Sequence, residues 1–527
     1  MYDPPAPPLY EQPDIRARRW FLLGIMCLSL VLVVMSVSGL NVALPTLQRD
    51  LDATATQLQW IVDAYAIVFA GLLLTAGAVG DRFGRKGALL AGLAVFGSAS
   101  LLGAFADAAW QVIAVRAAMG IGAAFIMPAT LSLLTSIFPP AERGTAIAVW
   151  AGFAGAGGAI GPIVVGGLLE GFWWGSAFLV NVVVVIGVMI AVARFSPSSR
   201  DDDVTPLDPV GALLSLVGLA ALLFGIIEGP EQGWTSALVI GGFAVGVIGL
   251  VGFVVWEQRT AHPMLPMDFF GDRRFSAGSG VITLAFFSMF GFFFLFTQYL
   301  QFVRGYSPLE AGLATLPLAV TLVIVSPRSA GLAERLGQGV VIGVGFVLMV
   351  AGFVVMGLVS PDTAYLGLVA GLVLLGAGMG ITVAPATGGI MASVPLGKAG
   401  VGSAVNDTTR EVGGALGIAV LGSVASSAYR DGISLDQAPA EIAEVAGESI
   451  GAASVVAAEV GGPVGEALAG EAGRAFTDAF NAAMLVSASV AIVAGIAAVA
   501  ALGRRRTSGE PARQTAEAVP LDADGVP

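Results

Sequence analysis

Charged side chains interrupt several apolar segments of this 527-residue chain. The acids are Asp63, Glu228, Asp407 and Glu411, and the cations are Arg116 and Arg410. A carboxylate that moves between an apolar setting and a position beside an arginine binds and releases a proton, because burial disfavours its charge and the cation favours it. An ionisable residue inside an apolar span is a functional candidate for the same reason. These residues have the chemistry of a proton exchanger.

Asp63 is the preferred proton carrier, since it lies about one helical turn inside the end of its apolar segment. The run NDTTRE, residues 406–411, is the alternative. Asp407 and Glu411 are spaced i, i+4 on one helix face, and Arg410 follows Asp407 by three residues. The same spacing is typical of a static salt-bridged helix, so both interpretations stand, and Glu228 is a further candidate.

The segment GAVGDRFGRKGAL, residues 77–89, combines glycines with clustered charges. Its candidate functional residues are Gly77, Asp81, Arg82, Gly84, Arg85 and Lys86. Glycines let helices turn and approach closely, and a carboxylate among cations can form a charge network between two parts of a molecule. A network that breaks when those parts rock is a two-state latch. Membrane topology alone would explain the cations but not the fixed spacing.

A glycine-rich stretch with one proline, GAGGAIGPIVVGG, occupies residues 155–167. Its candidates are Gly157, Gly161, Pro162 and Gly166. Small residues let helices pack face to face, and proline bends a helix by removing one backbone hydrogen bond. Generic packing in a helix bundle is the simpler explanation for isolated glycines.

The composition places these segments in a membrane protein. Hydrophobic residues make up 56% of the chain and charged residues 12%, and apolar runs of about twenty residues follow one another. We therefore expect an all-α fold with about fourteen transmembrane helices. The first run, residues 20–44, is too long for a signal-peptide core and is expected to remain as a helix. Lysines and arginines fall mostly on one side of the predicted spans, which places both termini in the cytoplasm.

We expect no metal, cofactor or nucleotide site. The single cysteine, Cys27, lies in the first helix, and the lone His262 lies in a polar linker without further ligands. The chain has no Gly-x-x-x-x-Gly-Lys-Ser/Thr stretch, so ATP hydrolysis is not its expected energy source. An enzymatic activity and a nucleic-acid partner are not expected either.

A short internal echo indicates two repeats. Asp81, Arg82 and Gly84 recur as Glu334, Arg335 and Gly337, as in transporters built from parallel repeats. We expect a cytoplasmic tail at 1–19, a six-helix bundle at 20–203, two extra helices at 204–260, a second six-helix bundle at 261–503 and a cytoplasmic tail at 504–527. The second bundle contains a long extracytoplasmic loop, 428–477. Two short amphipathic helices, or a gate or partner surface, are the alternatives for this loop.

Together these features resemble the fourteen-helix drug:proton antiporters of the major facilitator superfamily. The resemblance rests on NVALP in helix 1, WIVDAY in helix 2, the 77–89 segment, Arg116 and the 155–167 stretch. It implies two bundles that rock about a midplane cavity, a role for Arg116 in proton coupling, and an antiporter role for the 155–167 stretch. The sequence departs from the family at Ser36, where many relatives carry an acid, at Met119 in place of a glutamine and at Val165 in place of a glycine.

On this resemblance we expect a multi-pass plasma-membrane transporter, monomeric in the bilayer, that exports apolar or cationic small molecules in exchange for protons. The candidate substrate-cavity residues are Ser36, Asn41, Phe290 and Phe294. Phenylalanines concentrated between residues 286 and 296 suit flat apolar or cationic ligands, and packing against lipid or other helices is the alternative. Two rival functions remain: export of an endogenous metabolite such as a siderophore, lipid or self-made antibiotic, and a receptor or scaffold that kept the fold.

Overall fold

The computed structural model describes residues 8–199, 206–434 and 440–503, which form helices and connecting turns without a strand. In chain order the α-helices are α1 Pro13–Ser38, α2 Leu40–Leu51, α3 Ala55–Phe83, α4 Arg85–Gly103, α5 Ala109–Ile137, α6 Pro140–Leu169, α7 Ser176–Phe195, α8 Pro209–Gln232, α9 Ala237–Glu257, α10 Arg273–Gln298, α11 Pro308–Ala314, α12 Leu316–Leu336, α13 Gln338–Met356, α14 Tyr365–Ala392, α15 Ala399–Gly432, α16 Ala440–Glu448, α17 Ile450–Val460 and α18 Gly462–Leu502. The predicted tail at 504–527 and the first seven residues lie outside the described residues.

Fourteen spans in the described residues are long and apolar enough to cross a membrane. The predicted number of spans and the all-α class are therefore confirmed. Two spans combine consecutive helices: α1 continues into α2 as Pro13–Leu44, and α11 continues into α12 as Pro308–Leu336. Helices suit this environment because they satisfy their backbone hydrogen bonds internally, which lipid cannot do for them.

The charged segment at residues 77–89 contains a turn of a single residue. α3 runs through Phe83 and α4 begins at Arg85, so Gly84 alone makes the turn, with φ 113° and ψ 124°. The related turn after α12 has the same form, because Gly337 alone connects α12 to α13 with φ 91° and ψ 142°. Positive φ of this size favours glycine. The two turns support the internal repeat in backbone conformation as well as in sequence.

The helices form two bundles, each with an apolar core built mostly from its own side chains. Side chains of α1–α7 pack around Phe96 and Trp150, both almost fully buried. Side chains of α10–α18 pack around Phe292 and Phe480, which are fully buried. Between the bundles, α3 packs on α15 and α6 packs on α12. We call these two helix pairs the seams between the bundles.

The extra helix α8 touches both bundles along the α3–α15 seam. A Cβ atom at Gly71 of α3 would lie 2.9 Å from the Leu216 side chain of α8, so the glycine permits this close approach. Farther along α8, Leu223 packs in a small buried cluster with Ala70 of α3 and Ala419 of α15. α9 packs on α8. The two extra helices therefore lie beside one seam rather than between two separate domains.

The predicted loop at 428–477 is mostly helical where the structure describes it. α15 continues to Gly432, α16 and α17 follow residues 435–439, which lie outside the described residues, and α18 begins at Gly462. The last helix thus starts earlier than the apolar pattern predicted, because its first turns contain alanines and glutamates, which favour a helix without being strongly apolar. The Tyr429 hydroxyl donates a hydrogen bond to the Ala446 carbonyl at 3.0 Å and fixes α16 against α15.

We predict that Gly84→Ala lowers the stability of the protein by about 1–3 kcal/mol, because alanine is strained at the φ this turn requires. Thermal unfolding of the purified protein in detergent measures the change. Gly87→Ala is the matched control, since Gly87 lies inside α4 with no atom within 4 Å of an added Cβ. Equal unfolding midpoints for the two variants would contradict a strained turn at Gly84.

Candidate functional site

The segment predicted as a latch joins the two bundles. Asp81 lies near the end of α3, is 3% exposed, and faces the start of α15. Its Oδ1 accepts a hydrogen bond from the Gly400 N–H at 2.9 Å, and its Oδ2 accepts one from the Val401 N–H at 3.1 Å. The first amides of a helix lack partners inside the helix and carry partial positive charge, so a carboxylate is stabilised there. We call the contact between residues 77–86 and 396–401 the motif junction.

Arg85 makes hydrogen bonds to both sides of the motif junction. Its Nε donates a hydrogen bond to Asp81 Oδ1 at 2.8 Å. Its Nη2 donates to the carbonyl oxygens of Leu396 and Gly397, which belong to the other bundle. The guanidinium is only 2% exposed and therefore needs these acceptors. Arg85 thus binds the acid beside it and the chain that leads into α15.

Two serines at the motif junction carry no signal in the sequence. Arg85 Nη1 donates to Ser136 Oγ at 2.7 Å and to Ser199 Oγ at 2.9 Å. Ser136 lies near the end of α5 and Ser199 beyond α7. Isolated serines far apart in the chain give no pattern, so only the fold identifies them as partners of the arginine.

The other latch candidates divide into two groups. Gly77 lets α3 and α15 meet closely, because a Cβ on Gly77 would lie 2.9 Å from the Ala404 Cβ. Lys86 and Arg82 contact their own bundle: the Lys86 Nζ donates to the Ala193 carbonyl at 2.8 Å, and the Arg82 guanidinium lies 5.3 Å from the Phe83 ring. The cross-bundle contacts described here therefore come from Gly77, Asp81 and Arg85.

Arg116 is buried in the first bundle, with 1% exposure. Its Nε donates to the Ile61 carbonyl at 3.0 Å and its Nη1 to the Ser36 carbonyl at 3.5 Å. The guanidinium carbon lies 4.2 Å from the centre of the Tyr65 ring, a cation–π contact. Nη2 has no hydrogen-bond partner. Among the described residues, these contacts include no carboxylate.

Asp63 lies at the depth of Arg116 but on another face of α3. Arg116 contacts Ile61 and Tyr65, which flank Asp63 by two positions on each side. Residues two positions apart on a helix point about 200° apart. The structure therefore brings these two coupling candidates to one level while α3 directs the acid away from the arginine. Asp63 is half-buried.

The other coupling candidates form a compact cluster on α15. Arg410 Nη2 lies 3.8 Å from Asp407 Oδ1, and Arg410 Nε lies 3.5 Å from Glu411 Oε1. Asp407 is fully buried; its Oδ1 accepts a weak hydrogen bond from Asn406 Nδ2 at 3.4 Å, and its Oδ2 has no hydrogen-bond partner in the described chain. Two carboxylates thus share one guanidinium inside an apolar bundle. We call Asp407, Arg410 and Glu411 the acid cluster.

Aromatic rings lie next to both arginines. The Phe286 ring is 5.6 Å from the Arg410 guanidinium carbon, as the Tyr65 ring is close to that of Arg116. The WIVDAY segment stood out in the sequence for its acid, whereas the ring beside Arg116 is that of its tyrosine, Tyr65.

The predicted substrate-cavity residues occupy different settings. Phe290 is half-buried and packs edge to face on Phe286 with ring centres 5.5 Å apart, whereas Phe294 is 43% exposed. Ser36 is buried and Asn41 is exposed. Among the neighbouring phenylalanines, Phe292 and Phe296 are fully buried in the core of the second bundle, so packing accounts for these two.

The glycine–proline stretch of α6 contacts both bundles. Gly157 and Gly161 pack against the end of α1, and a Cβ on Gly161 would lie 2.7 Å from the Gly39 nitrogen. Farther along α6, Pro162 contacts Gly312 of α11 and Gly166 contacts Leu309. The four predicted residues therefore connect α1 to the second bundle through α6.

Glu228, the remaining acid among the coupling candidates, is buried near the end of α8. It lies on one of the two extra helices and so on a different element from both Asp63 and the acid cluster. Its burial keeps it a candidate for holding a proton.

The sequence from residue 26 to residue 418 matches the family model of the Major Facilitator Superfamily. The chain belongs to this superfamily. Its membership and its fourteen spans make it a multi-pass plasma-membrane transporter rather than an enzyme. The cross-bundle contacts and the buried charges described above are thus those of a Major Facilitator Superfamily protein.

Similar proteins include the multidrug efflux pump LfrA of Mycolicibacterium smegmatis, which is 37% identical over 90% of this chain and 96% of its own. The tetracenomycin C resistance and export protein of Streptomyces glaucescens is 32% identical over 97% of this chain and 95% of its own. Among solved structures, a bacterial homologue of the human lysosomal transporter Spinster superposes with a TM-score of 0.59 at 16% identity, covering 93% of this chain and 99% of that one. The two chains share a fold.

We predict that Asp81→Asn opens the motif junction, because an amide keeps one acceptor oxygen but loses the charge that binds the α15 amides and Arg85. A charged hydrogen bond exceeds a neutral one by about 1–2 kcal/mol, so opening should rise on the order of tenfold. Maleimide labelling of a cysteine in place of Val401, which is 2% exposed, measures opening. The native Cys27 is buried and should give little background.

The matched control for this labelling is Glu334→Gln. Glu334 occupies the position in the second repeat that corresponds to Asp81, but it is exposed. Its neutralisation should leave the labelling rate unchanged. Labelling that rises equally in both variants, or in neither, would show that the Asp81 charge does not hold the junction.

Proposed function

We propose that this Major Facilitator Superfamily member exports apolar or cationic drugs across the plasma membrane in exchange for protons. The names of two relatives support drugs as the transported substrate: one is a multidrug efflux pump and another a tetracenomycin C resistance and export protein. The acid cluster supports the coupling and is the observation on which the proposal rests. We place both termini in the cytoplasm, which puts the motif junction on the cytoplasmic side.

The coupling argument follows from counting charges in the acid cluster. Ionised Asp407 and Glu411 carry two negative charges against the single positive charge of Arg410. An uncompensated charge is costly in an apolar bundle. One proton on either carboxyl removes the excess negative charge, so the acid cluster can act as the proton carrier. A cationic substrate near the cluster would remove this excess charge equally well.

Competition of this kind produces exchange. If a proton and a cationic drug neutralise the same excess charge, binding of one favours release of the other. Phe286 lies beside Arg410 and Phe290 packs on Phe286. Both offer aromatic faces on which a flat apolar or cationic ligand can stack. We assign Phe290 and Phe294 to the substrate path on α10, with Ser36 and Asn41 on the side of the first bundle.

The motif junction supplies the two-state element. It holds α3 against α15 through the Asp81 carboxylate and Arg85, and it closes one end of the seam. Rocking of the bundles would break these hydrogen bonds together and open that end. The glycines of α6 would allow α1 and α11 to shift during the same movement. The α6 stretch therefore acts as the antiporter helix in this proposal.

A second candidate function has specific support. The relative from Streptomyces glaucescens is named for the export of one compound, whereas LfrA is named for the efflux of many drugs. An exporter dedicated to one self-made antibiotic would use the same acid cluster and the same phenylalanines. The two functions differ only in cargo, so a panel of substrates distinguishes them while the coupling remains the same.

We predict that a pH gradient alone drives transport in proteoliposomes that contain the purified protein. A fluorescent cation such as ethidium should accumulate on the side from which protons leave, and an uncoupler should abolish the accumulation, because no other energy source is needed. Dye fluorescence in the absence of ATP measures the uptake. Transport that requires ATP and ignores the uncoupler would contradict the proposal.

We predict that Asp407→Asn and Glu411→Gln each reduce proton-driven accumulation to background, because each removes a group that can hold the proton and keeps a similar shape. Exchange of labelled for unlabelled substrate at constant pH should persist. Glu310→Gln is the control, since Glu310 is exposed and a glutamine can still cap α11. It should transport like the parent.

Asp63→Asn tests whether the proton site is Asp63, which the sequence favours, or the acid cluster. Under the present proposal it weakens transport less than the two cluster variants do. If Asp63→Asn alone uncouples transport while Asp407→Asn and Glu411→Gln stay coupled, the proton site lies on α3. If all three variants stay coupled, carboxylate coupling at these positions is wrong and Glu228→Gln becomes the next variant to measure.

A further inference from the structure

A small cavity lies beside Arg116 inside the first bundle. Its volume is about 10 Å³, room for the centre of one water-sized particle. Residues from α1, α2, α5, α6 and α7 line it, and they include Ser36, Leu40, Arg116, Met119, Val165 and Asn181. Among the described residues that line it, Arg116 alone is charged.

Two polar groups that line this cavity lack partners in the described chain. Arg116 is 1% exposed and its Nη2 donates no hydrogen bond. Asn181 is 2% exposed, its Oδ1 accepts none, and its Nδ2 makes only a long bond of 3.4 Å to the Ala177 carbonyl. Buried polar groups are almost always satisfied by protein or by a bound ligand. Two unsatisfied groups around one cavity therefore indicate an occupant.

The charge of Arg116 decides what that occupant is. The guanidinium contacts two carbonyl oxygens and one aromatic ring, and these contacts within the described chain include no carboxylate. A water molecule would accept its free N–H but would leave a full positive charge buried among apolar side chains, which is costly. An anion would satisfy the N–H and cancel the charge.

We propose that this cavity binds a small inorganic anion, with chloride as the physiological ligand. Arg116 Nη2 donates to the anion, and the Asn181 amide turns so that its Nδ2 does the same; the two ends of an amide exchange places by a simple rotation. The Ser36 hydroxyl lines the cavity and donates its single hydrogen to the Val33 carbonyl at 2.9 Å; rotation of this hydroxyl would make it a third donor to the anion. Met119 and Met35 line the cavity and are flexible enough to admit an ion slightly larger than water.

The anion would give the first bundle its own charge balance. Arg116 would then be neutralised without any acid from α3 or α15, and the charge of the acid cluster would be set by Arg410, protons and substrate alone. This proposal concerns the stability and charge of the first bundle. It holds or fails independently of proton-driven export.

Thermal unfolding of the purified full-length protein in potassium chloride and in potassium isethionate, at equal ionic strength, tests the site. Isethionate is too large for the cavity. Ligand that binds only the folded state raises the unfolding temperature, and we expect a saturable rise of about 2–4 °C with chloride. Arg304→Gln is the control for general salt effects, since Arg304 binds the carbonyls of Pro361 and Thr363 away from the cavity. It should keep the chloride response.

Two substitutions at one position make the test specific. Ser36→Asp places a carboxylate at the cavity wall and should remove the chloride response, with an unfolding temperature in isethionate that matches the parent in chloride. Ser36→Asn adds similar volume without charge; it should also lose the chloride response, because its amide fills the cavity, but its unfolding temperature should stay below that of Ser36→Asp. Arg116→Gln, if it folds, should also lose the response.

Equal unfolding temperatures of the parent protein in the two salts would overturn the proposal and leave water as the occupant. The proposal also fails if Ser36→Asp and Ser36→Asn have equal unfolding temperatures, or if Arg116→Gln keeps the full chloride response. Binding of radioactive chloride to the parent but not to Ser36→Asp would support it directly.

Discussion

A carboxylate of one bundle bound to the first amides of a helix in the other is the contact on which the arrangement of the two halves depends. Asp81 makes two hydrogen bonds to the start of α15, and Arg85 holds the preceding carbonyls. All of these bonds are directional and close to one point, so a small rotation weakens them together. The seam between α6 and α12 differs, because glycines pack there and the Ser326 hydroxyl makes one bond to the Ala148 carbonyl.

Buried charge imposes the second constraint. The first bundle carries Arg116 without an acid among its described contacts, and the second carries two acids around Arg410. Each imbalance is tolerable only if something small and exchangeable corrects it. We have proposed a proton or cationic cargo for the second bundle and an inorganic anion for the first.

The sequence was sufficient for the number of spans, because hydropathy finds apolar runs. It singled out Asp81 and Arg85 but gave neither their partners nor the one-residue turn at Gly84. Periodicity brought Asp407, Arg410 and Glu411 to one helix face. It gave neither the depth nor the direction of Asp63 relative to Arg116, because both depend on which helix packs against which face. Ser136, Ser199 and Asn181 depend on contacts between distant segments and carry no local pattern.

The extra helix α8 lies on only one of the two seams between the bundles. α8 lies across the edge where α3 meets α15 and packs on both, while the pair formed by α6 and α12 lies on the other side. α8 therefore covers one edge of the α3–α15 contact. If the protein exports apolar drugs as proposed, a compound dissolved in the bilayer would reach the α6–α12 contact more directly than the α3–α15 contact. Removing the extra helices would expose both contacts to lipid alike.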